Sequence, residues 1–191
     1  MIRKGRDGKS GPVRDWNVVV TIRGHEFARA RKILRDLGAV GRTRFYNVLV
    51  MKVDDGRDLL EVLRTRIASD PHILDVLARV VPLSHAFRFS TVADFERRGG
   101  EAILERADDM ADKSFHVRIH RRGLKGAIVS PEEERRFDQL ILDEEQRHGH
   151  PARVDFSDPD VIVAVETVGT RAGVSAWTRA DRERHPLLGL S

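Results

Sequence analysis

Cationic side chains are concentrated in one segment of this sequence. From Lys113 to Ser130 the chain contains five cations and no aspartate or glutamate. Positive charges without a counter-charge attract anions, and the planar guanidinium of arginine matches the oxygens of a phosphate group. The segment therefore predicts a surface for an anionic partner, and the alternative is an ordinary arginine-rich surface that faces solvent. The expected principal contacts are Arg118, Arg121, Arg122 and Lys125, with Lys113 as a secondary one.

Other polar residues have spacings that resemble metal sites without satisfying them. His116 and His120 are four residues apart on a predicted strand, which separates them by roughly 13 Å and prevents them from sharing a metal ion. Asp155, Asp158 and Asp160 resemble part of a calcium loop, but no bidentate glutamate follows at the required position. We interpret this acidic segment as a turn whose carboxylates accept hydrogen bonds from backbone amides. The sequence predicts no catalytic residue, no metal ligand and no cofactor.

The composition fits an intracellular globular protein. The chain has 191 residues, of which 40% are hydrophobic and 34% charged, and it carries a net charge of +4. Arginine accounts for 28 of the 34 basic residues, which explains a pI of about 9.8; a GC-rich genome is an alternative cause of the arginine excess. The absence of cysteine excludes disulfides, thiolate catalysis and cysteine-ligated metal centres.

The sequence shows neither a signal peptide nor a membrane-spanning segment. Residues 1–14 are basic and glycine-rich, and they lack the apolar segment of a signal peptide. No apolar run approaches the roughly 18 residues that a membrane-spanning helix requires. We therefore expect a cytoplasmic protein that begins with a flexible basic arm and has no membrane partner.

The hydrophobic pattern of residues 15–90 alternates between strands and helices. Strands are predicted at 16–22, 45–53 and 79–87, separated by helices at 25–38 and near 56–69. This order is typical of a ferredoxin-like subdomain, or a reduced version of it. No glycine-rich phosphate motif follows these strands, so nucleotide binding has little support.

The sequence pattern of residues 91–191 predicts a second unit with a mixed sheet. A helix capped by Thr91 precedes a strand at 114–120, in which Phe115, Val117 and Ile119 point inward. Ser130 is the expected cap of a helix that ends at Gly149, and the nearly continuous apolar run 161–168 predicts a central strand. Further strands are expected at 153–156 and 173–177. The boundary between the units is placed near Ser90, and because no linker-like composition marks it, we expect one rigid body.

This second unit resembles the THUMP domain, an RNA-binding module of tRNA-modifying enzymes. The resemblance covers about 75 residues and is strongest around the turn between the last strands. It lies in Lys113-Ser114-Phe115, Arg153-Val154-Asp155-Phe156, Asp158-Pro159-Asp160-Val161, Val163, Val165 and Glu166. The resemblance implies an α+β fold in which an N-terminal ferredoxin-like subdomain (15–90) packs on a THUMP domain (91–191).

The resemblance also implies a ligand and a role. The ligand is tRNA, held at its acceptor stem and single-stranded 3′ end, with secondary contacts from Lys113, Arg153, Arg171 and Arg179. The sequence leaves no room for a catalytic domain, so we expect a non-enzymatic adaptor, similar to those that assist a tRNA cytidine N-acetyltransferase. The alternatives are a protein–protein interaction module, an RNA-binding subunit of another RNA-modification complex, and an enzyme of a new kind.

Overall fold

The computed structural model of the protein describes residues 13–190. Most of the predicted basic arm (1–14) lies outside these described residues. Within them, no helix has both the length and the apolar character needed to cross a bilayer.

The first sheet has four antiparallel strands in the order β2-β3-β1-β4. Its elements follow one another as in a ferredoxin-like fold, which confirms that prediction. The sequence pattern missed β2, a four-residue edge strand that contains alanine and glycine and therefore lacks strand-forming side chains. The elements are β1 (Val18–Ile22), α1 (Phe27–Leu34), β2 (Ala39–Arg42), β3 (Val48–Lys52), α2 (Gly56–Ser69), α3 (Ile73–Val76) and β4 (Leu77–Pro82).

The second sheet has five strands in the order β5-β9-β8-β6-β7. It is mixed, because β6 runs parallel to both β7 and β8 while β9 runs antiparallel to its neighbours. The elements are β5 (His85–Arg88), α4 (Val92–Leu104), a 3-10 helix (Ala107–Met110), β6 (Ser114–Arg122), α5 (Ser130–His148), β7 (Arg153–Val154), β8 (Val161–Val168), β9 (Arg171–Thr178) and α6 (Arg179–Arg184). The prediction that 161–168 is a central strand is confirmed.

The chain passes from the first sheet to the second within two residues. Leu83 donates its N–H to the carbonyl of Asn17, which precedes β1, and Ser84 donates to Val174 on β9. The predicted single strand 79–87 is therefore two strands in different sheets. Pro82 ends the first of them, because proline has no N–H to continue the ladder. The crossing lies ahead of the predicted boundary near Ser90.

Helix ends follow the sequence in part. Thr91 accepts a hydrogen bond from the N–H of Asp94 at 3.0 Å, as the capping pattern predicted. Helix α5 instead begins at Ser130 itself, with no side-chain cap, and it ends at Gly149 with a φ of 78°. The sequence pattern missed α6, which begins with a capping box between Thr178 and Asp181.

The exposed edge of β6 is covered by acidic side chains of α5. Beyond the short pairing with β7, Val117 donates its N–H to Asp138 at 2.9 Å and Ile119 donates to Glu134 at 2.8 Å. These two carboxylates lie one helical turn apart, which matches two inward-facing residues of a strand. They satisfy edge donors that would otherwise pair with another chain, and they fix the orientation of β6 against α5.

One hydrophobic core joins the two sheets. Ile162 and Trp177 of the second sheet pack with the first-sheet core, and so does the C-terminal segment that follows α6. The N–H of Val80 on β4 donates to Leu187 in that segment at 2.7 Å. The other face of the second sheet packs on α4 and α5, where Phe115 is fully buried as predicted. The two sheets and the C-terminal segment therefore share one set of buried contacts.

Candidate nucleic-acid interface

The outward-facing residues of β6 line the junction between the two sheets. His116, Arg118, His120 and Arg122 alternate with the inward-facing Phe115, Val117 and Ile119. This alternation was predicted, but the outward-facing side of β6 is partly covered by other segments of the chain. His116 is 3% exposed, because the acidic turn and the C-terminal segment approach it.

A recess opens at the N-terminal half of this row. Its volume is about 220 Å³, and its lining includes Arg118 and Phe156. The Phe156 side chain is 66% exposed, and its ring meets the His116 ring edge-on with centroids 4.7 Å apart. Arg182 also lines the recess and donates to the carbonyl of Pro159 at 2.7 Å. The recess therefore combines two guanidinium groups with an exposed aromatic ring, and the carboxylate of Asp158, which is paired with Arg179, also lines it.

Arg122 occupies a different environment. Its guanidinium donates to Glu166 and, at 3.0 Å, to the hydroxyl of Thr21 on β1. Glu166 also accepts from Arg79 of β4 at 2.8 Å, so one carboxylate lies between arginines from both sheets. The Arg122 side chain is 14% exposed, and its charge is already paired. We therefore remove Arg122 from the set of phosphate contacts and assign it to the junction.

Burial shifts the titration of this network. Burial raises the pKa of the fully enclosed Glu166, and the positive charges of Arg122 and Arg79 oppose that rise. The neighbouring His120 has a pKa lowered to about 3, first by burial and then by the charges of Arg79, Arg122 and Arg118. His120 is therefore neutral at physiological pH, and it adds no positive charge to the row.

The secondary cations lie in several environments. Arg171 donates twice to the carbonyl of Trp16, at 3.1 and 3.0 Å, and burial lowers its pKa. Arg179 is paired with Asp158 at 3.1 Å and with Asp160 at 3.3 Å. Both arginines serve structural contacts, and Arg179 reaches the recess only through Asp158, which lines it.

Two further exposed cations lie where β6 and β7 begin, because Ser114, which follows Lys113, pairs with Arg153. Arg153 lies 3.4 Å from Asp155, with 70% of its side chain exposed. Lys113 is exposed, and its ammonium group donates to the carbonyl of Asp109 at 2.9 Å. Asp155 accepts from the N–H groups of Ser157 and Asp158, so the acidic segment is the turn that the sequence predicted.

The turn after β6 carries the remaining predicted contacts. Arg121 is half-buried and donates to the carbonyl of Gly123 at 2.6 Å, which holds its guanidinium over the turn. Lys125 is exposed, and among the ion pairs of the described residues it has no acidic partner. Gly123 has a φ of 100°, a conformation that L-residues rarely adopt.

A second cationic segment, missed in the sequence, meets this turn. Arg42, the last residue of β2, and Arg44, in the loop between β2 and β3, are exposed, and Phe45 of that loop packs on Gly123. A β-carbon on Gly123 would lie 3.0 Å from Cζ of Phe45. The chain from residue 37 to residue 53 contains no aspartate or glutamate. That is the signal that marks this segment, and it is the same signal that marked 113–130.

The described residues form no cluster suited to a metal ion. Within 13–190, no three histidine, aspartate or glutamate side chains converge as metal ligands. Three exposed cations of the two acid-free segments, Arg42, Arg44 and Lys125, lie within three residues of Phe45 or Gly123, which contact each other. The arrangement can hold an extended anion across both sheets.

No family model matches the chain, and no curated protein matches it in sequence. Several solved structures match this chain, and each alignment covers 84% of its residues. They include PH1313 from Pyrococcus horikoshii Ot3 (14% identity, TM-score 0.56), TrmN from Thermus thermophilus (20%, 0.52) and a 4-thiouridine synthetase–RNA complex with bound ATP (18%, 0.50). The chain spans 54%, 44% and 40% of those chains, respectively. The likeness shows the fold: an α+β arrangement with a ferredoxin-like subdomain packed on a mixed sheet, as the resemblance to the THUMP domain implied.

Proposed function

We propose that the protein binds tRNA in the cytoplasm and presents it to a modification enzyme without catalysing a reaction itself. The observation that carries the proposal is the meeting of two acid-free segments, 37–53 and 113–130, at the contact between Phe45 and Gly123. A polyanion that crosses this contact is held by cations from both sheets. One structure with this fold is a synthetase solved in complex with RNA, which supports RNA as the polyanion.

The acceptor stem would lie along the exposed Lys125 and the half-buried Arg118 and Arg121. Arg118, Arg121 and Lys125 contact its phosphates, and Arg42 and Arg44 extend the surface onto the first sheet. RNA stems are recognised largely through phosphates and 2′-hydroxyls, so this mode of binding requires little base readout. The single-stranded 3′ end would enter the recess at Phe156, where the exposed ring offers a stacking surface.

A partner would supply the chemistry. The chain spans 54% or less of the length of the three solved structures named above, and one of those structures is a 4-thiouridine synthetase. We propose a separate tRNA-modifying enzyme as the partner, with a tRNA cytidine N-acetyltransferase as the specific candidate. Incubating the purified protein with tRNA and common group donors, followed by nucleoside analysis, tests the non-catalytic role; a new modified nucleoside would contradict it.

Removing two site cations tests the interface. We expect Arg118→Gln/Lys125→Gln to weaken tRNA binding about tenfold or more at low salt, because two phosphate contacts are lost. Each lost contact should lower the log–log salt slope by about 0.7–0.9. The measurement is fluorescence anisotropy across a salt series.

A charge-matched control lies on the other side of the second sheet. Arg97 and Arg98 of α4 are exposed and paired with Asp94, and Arg97→Gln/Arg98→Gln removes the same net charge. We expect this variant to bind almost as well as the unmodified protein. Equal losses in both double variants would mean that only net charge matters, and the proposed site would be wrong.

A protein-interaction module is the alternative function, and one observation favours it. An open groove of about 640 Å³ lies between α4 and α5, and its lining includes Leu104 and Leu140. It lies on the face of the second sheet opposite Arg118. An absence of tRNA binding at low salt by the unmodified protein would favour this function over the proposed one.

A further inference from the structure

We propose that Tyr46 forms a stacking site for an unpaired nucleobase of the bound RNA, separate from the recess for the 3′ end. The inference rests on the proposed function and adds a second site of base contact on the first subdomain. Tyr46 lies in the loop between β2 and β3 and follows Phe45, the residue that contacts Gly123.

The exposure of Tyr46 is the first observation. The side chain is 67% exposed, although a tyrosine in a loop usually buries part of its ring against the fold. The ring has one aromatic neighbour, His25, at an interplanar angle of 77° with centroids 5.5 Å apart. Most of the Tyr46 surface is nevertheless open to solvent. An aromatic face exposed in this way is available to a second flat ring.

The loop that carries Tyr46 is held in place by its own hydrogen bonds. The Thr43 hydroxyl donates to the carbonyl of Val48 at 2.9 Å and accepts from the N–H of Phe45 at 3.1 Å. Asn47 has a φ of 56°, which turns the chain directly after Tyr46, and its carbonyl accepts from Ile22 at 2.9 Å. The backbone around Tyr46 is therefore ordered before any ligand arrives, which reduces the entropy that binding removes.

The charges around Tyr46 suit a nucleic acid. Arg42 and Arg44 are exposed, and their guanidinium carbons lie 4.9 Å and 5.2 Å from the ring centroids of Phe27 and Phe45. Neither forms an ion pair among the described residues, so both charges are available to a ligand. An aromatic ring beside cations that can contact the backbone is the combination found in platforms for unpaired nucleotides.

The Tyr46 site and the recess lie at opposite ends of β6. Phe156 contacts His116 near the start of the strand, whereas the loop of Tyr46 contacts Gly123, just past its end. Seven residues of extended chain span roughly 20 Å or more. One nucleotide cannot contact both rings, so the two sites take different bases of the same RNA.

The experiment uses a property of the sequence. Tyr46 is the chain's one tyrosine, so growth with 3-fluorotyrosine yields a full-length protein with a single fluorine label. We expect its ¹⁹F resonance to shift when unfractionated tRNA is added, at concentrations where anisotropy shows saturation. A blunt, fully paired RNA duplex should bind through phosphates without the same shift, because it offers no unpaired base. An equal shift with the duplex would overturn the stacking site.

Substitutions give an independent readout. We expect Tyr46→Ala and Tyr46→Leu to lower tRNA affinity about five- to hundredfold and Tyr46→Phe to retain it within about twofold, because stacking requires the aromatic face and not the hydroxyl. The exposed position should leave the thermal unfolding midpoint unchanged. If the unmodified protein binds tRNA, but Tyr46→Ala binds equally well and the resonance does not move, the stacking site is wrong while the proposed function stands. If the unmodified protein does not bind tRNA, both fail together.

Discussion

At the scale of single residues, the cations at the junction and at the candidate interface belong to two groups. Arg79 and Arg122 are buried against Glu166 and connect the two sheets. Arg118 and Lys125 have no acidic partner among the described ion pairs, and their charges are available to a ligand. An arginine that is already paired and enclosed adds little to phosphate binding, so the pairing decides which cations belong to the interface.

The buried network makes a prediction for stability. Glu166→Gln leaves two arginines at the junction without a counter-charge, and breaking a buried pair in this way costs about 3–5 kcal/mol. We expect the urea midpoint to fall accordingly. Glu101→Gln is the control, because Glu101 pairs with Arg97 on the surface with 60% of its side chain exposed, and it should change stability by less than about 1 kcal/mol. Equal midpoints for the two variants would show that the network does not connect the sheets.

His120 predicts a pH dependence of stability. In the folded protein its pKa is about 3, whereas an unfolded chain has an ordinary imidazole pKa near 6.5. The unfolded state therefore binds more protons between these values, and the free energy of unfolding decreases as the pH falls below about 6.5. The groups that face His120 are Glu166, Arg79, Arg122 and Arg118.

The corresponding measurement compares urea unfolding at pH 7 and pH 5. We expect the unmodified protein to lose about 1–2 kcal/mol more than His120→Gln, after allowance for the partial exposure of the imidazole. The remaining pH dependence, from carboxylates and other histidines, is common to both proteins and cancels in the difference. Identical losses would show that His120 titrates normally in the folded state.

At the scale of secondary-structure elements, periodic segments were predictable and irregular ones were not. The alternation in β6 predicted which side chains face the core, because successive side chains of a strand point to opposite faces. The continuous apolar run of β8 predicted its central position in the sheet. The short edge strand β2 has no such pattern. The run 79–87 looked like one strand because the pattern does not record that Leu83 and Ser84 hydrogen-bond to different sheets.

The contact between the two cationic elements can be tested by a matched glycine pair. Gly123 and Gly126 both have positive φ, at 100° and 84°, but a β-carbon added at Gly123 would meet Phe45, whereas one added at Gly126 would have no neighbour within 4 Å. Both alanine variants therefore carry backbone strain of about 1–3 kcal/mol. We expect only Gly123→Ala to displace the loop of Phe45 and to weaken tRNA binding several-fold. Equal tRNA affinities of the two variants would argue against a shared surface.

At the scale of the whole molecule, the C-terminal segment returns to the first core. Leu187 and Leu188 are almost completely buried with β1 and β4, although they follow the last helix of the second unit. We expect Leu188→Ala to cost about 2–5 kcal/mol, as for other large-to-small core changes. Because the two sheets share this core, unfolding should remain a single transition by fluorescence and by circular dichroism. Two separated transitions would contradict a shared core.

The sequence predicted that the candidate site is positively charged, but not which cations are free to contact a ligand. An acid-free segment in the sequence indicates where positive charge accumulates, and Arg118 and Lys125 were predicted as contacts in this way. The partners that remove Arg122 and Arg171 from the site lie 44 and 155 residues away in the chain. Local sequence does not show such long-range contacts. The segment of Arg42 and Arg44 carries the same acid-free signal, but its approach to Gly123 depends on the packing of the two sheets and is not visible in the sequence.

The salt dependence of tRNA affinity tests the central claim most directly. Fluorescence anisotropy with the full-length protein would compare intact tRNA with tRNA lacking its 3′-terminal nucleotides. Each phosphate contact contributes about 0.7–0.9 to the log–log slope, so contacts from both acid-free segments predict a slope of several units, with weaker binding of the shortened tRNA. A slope near zero, or no binding at low salt, would contradict the account.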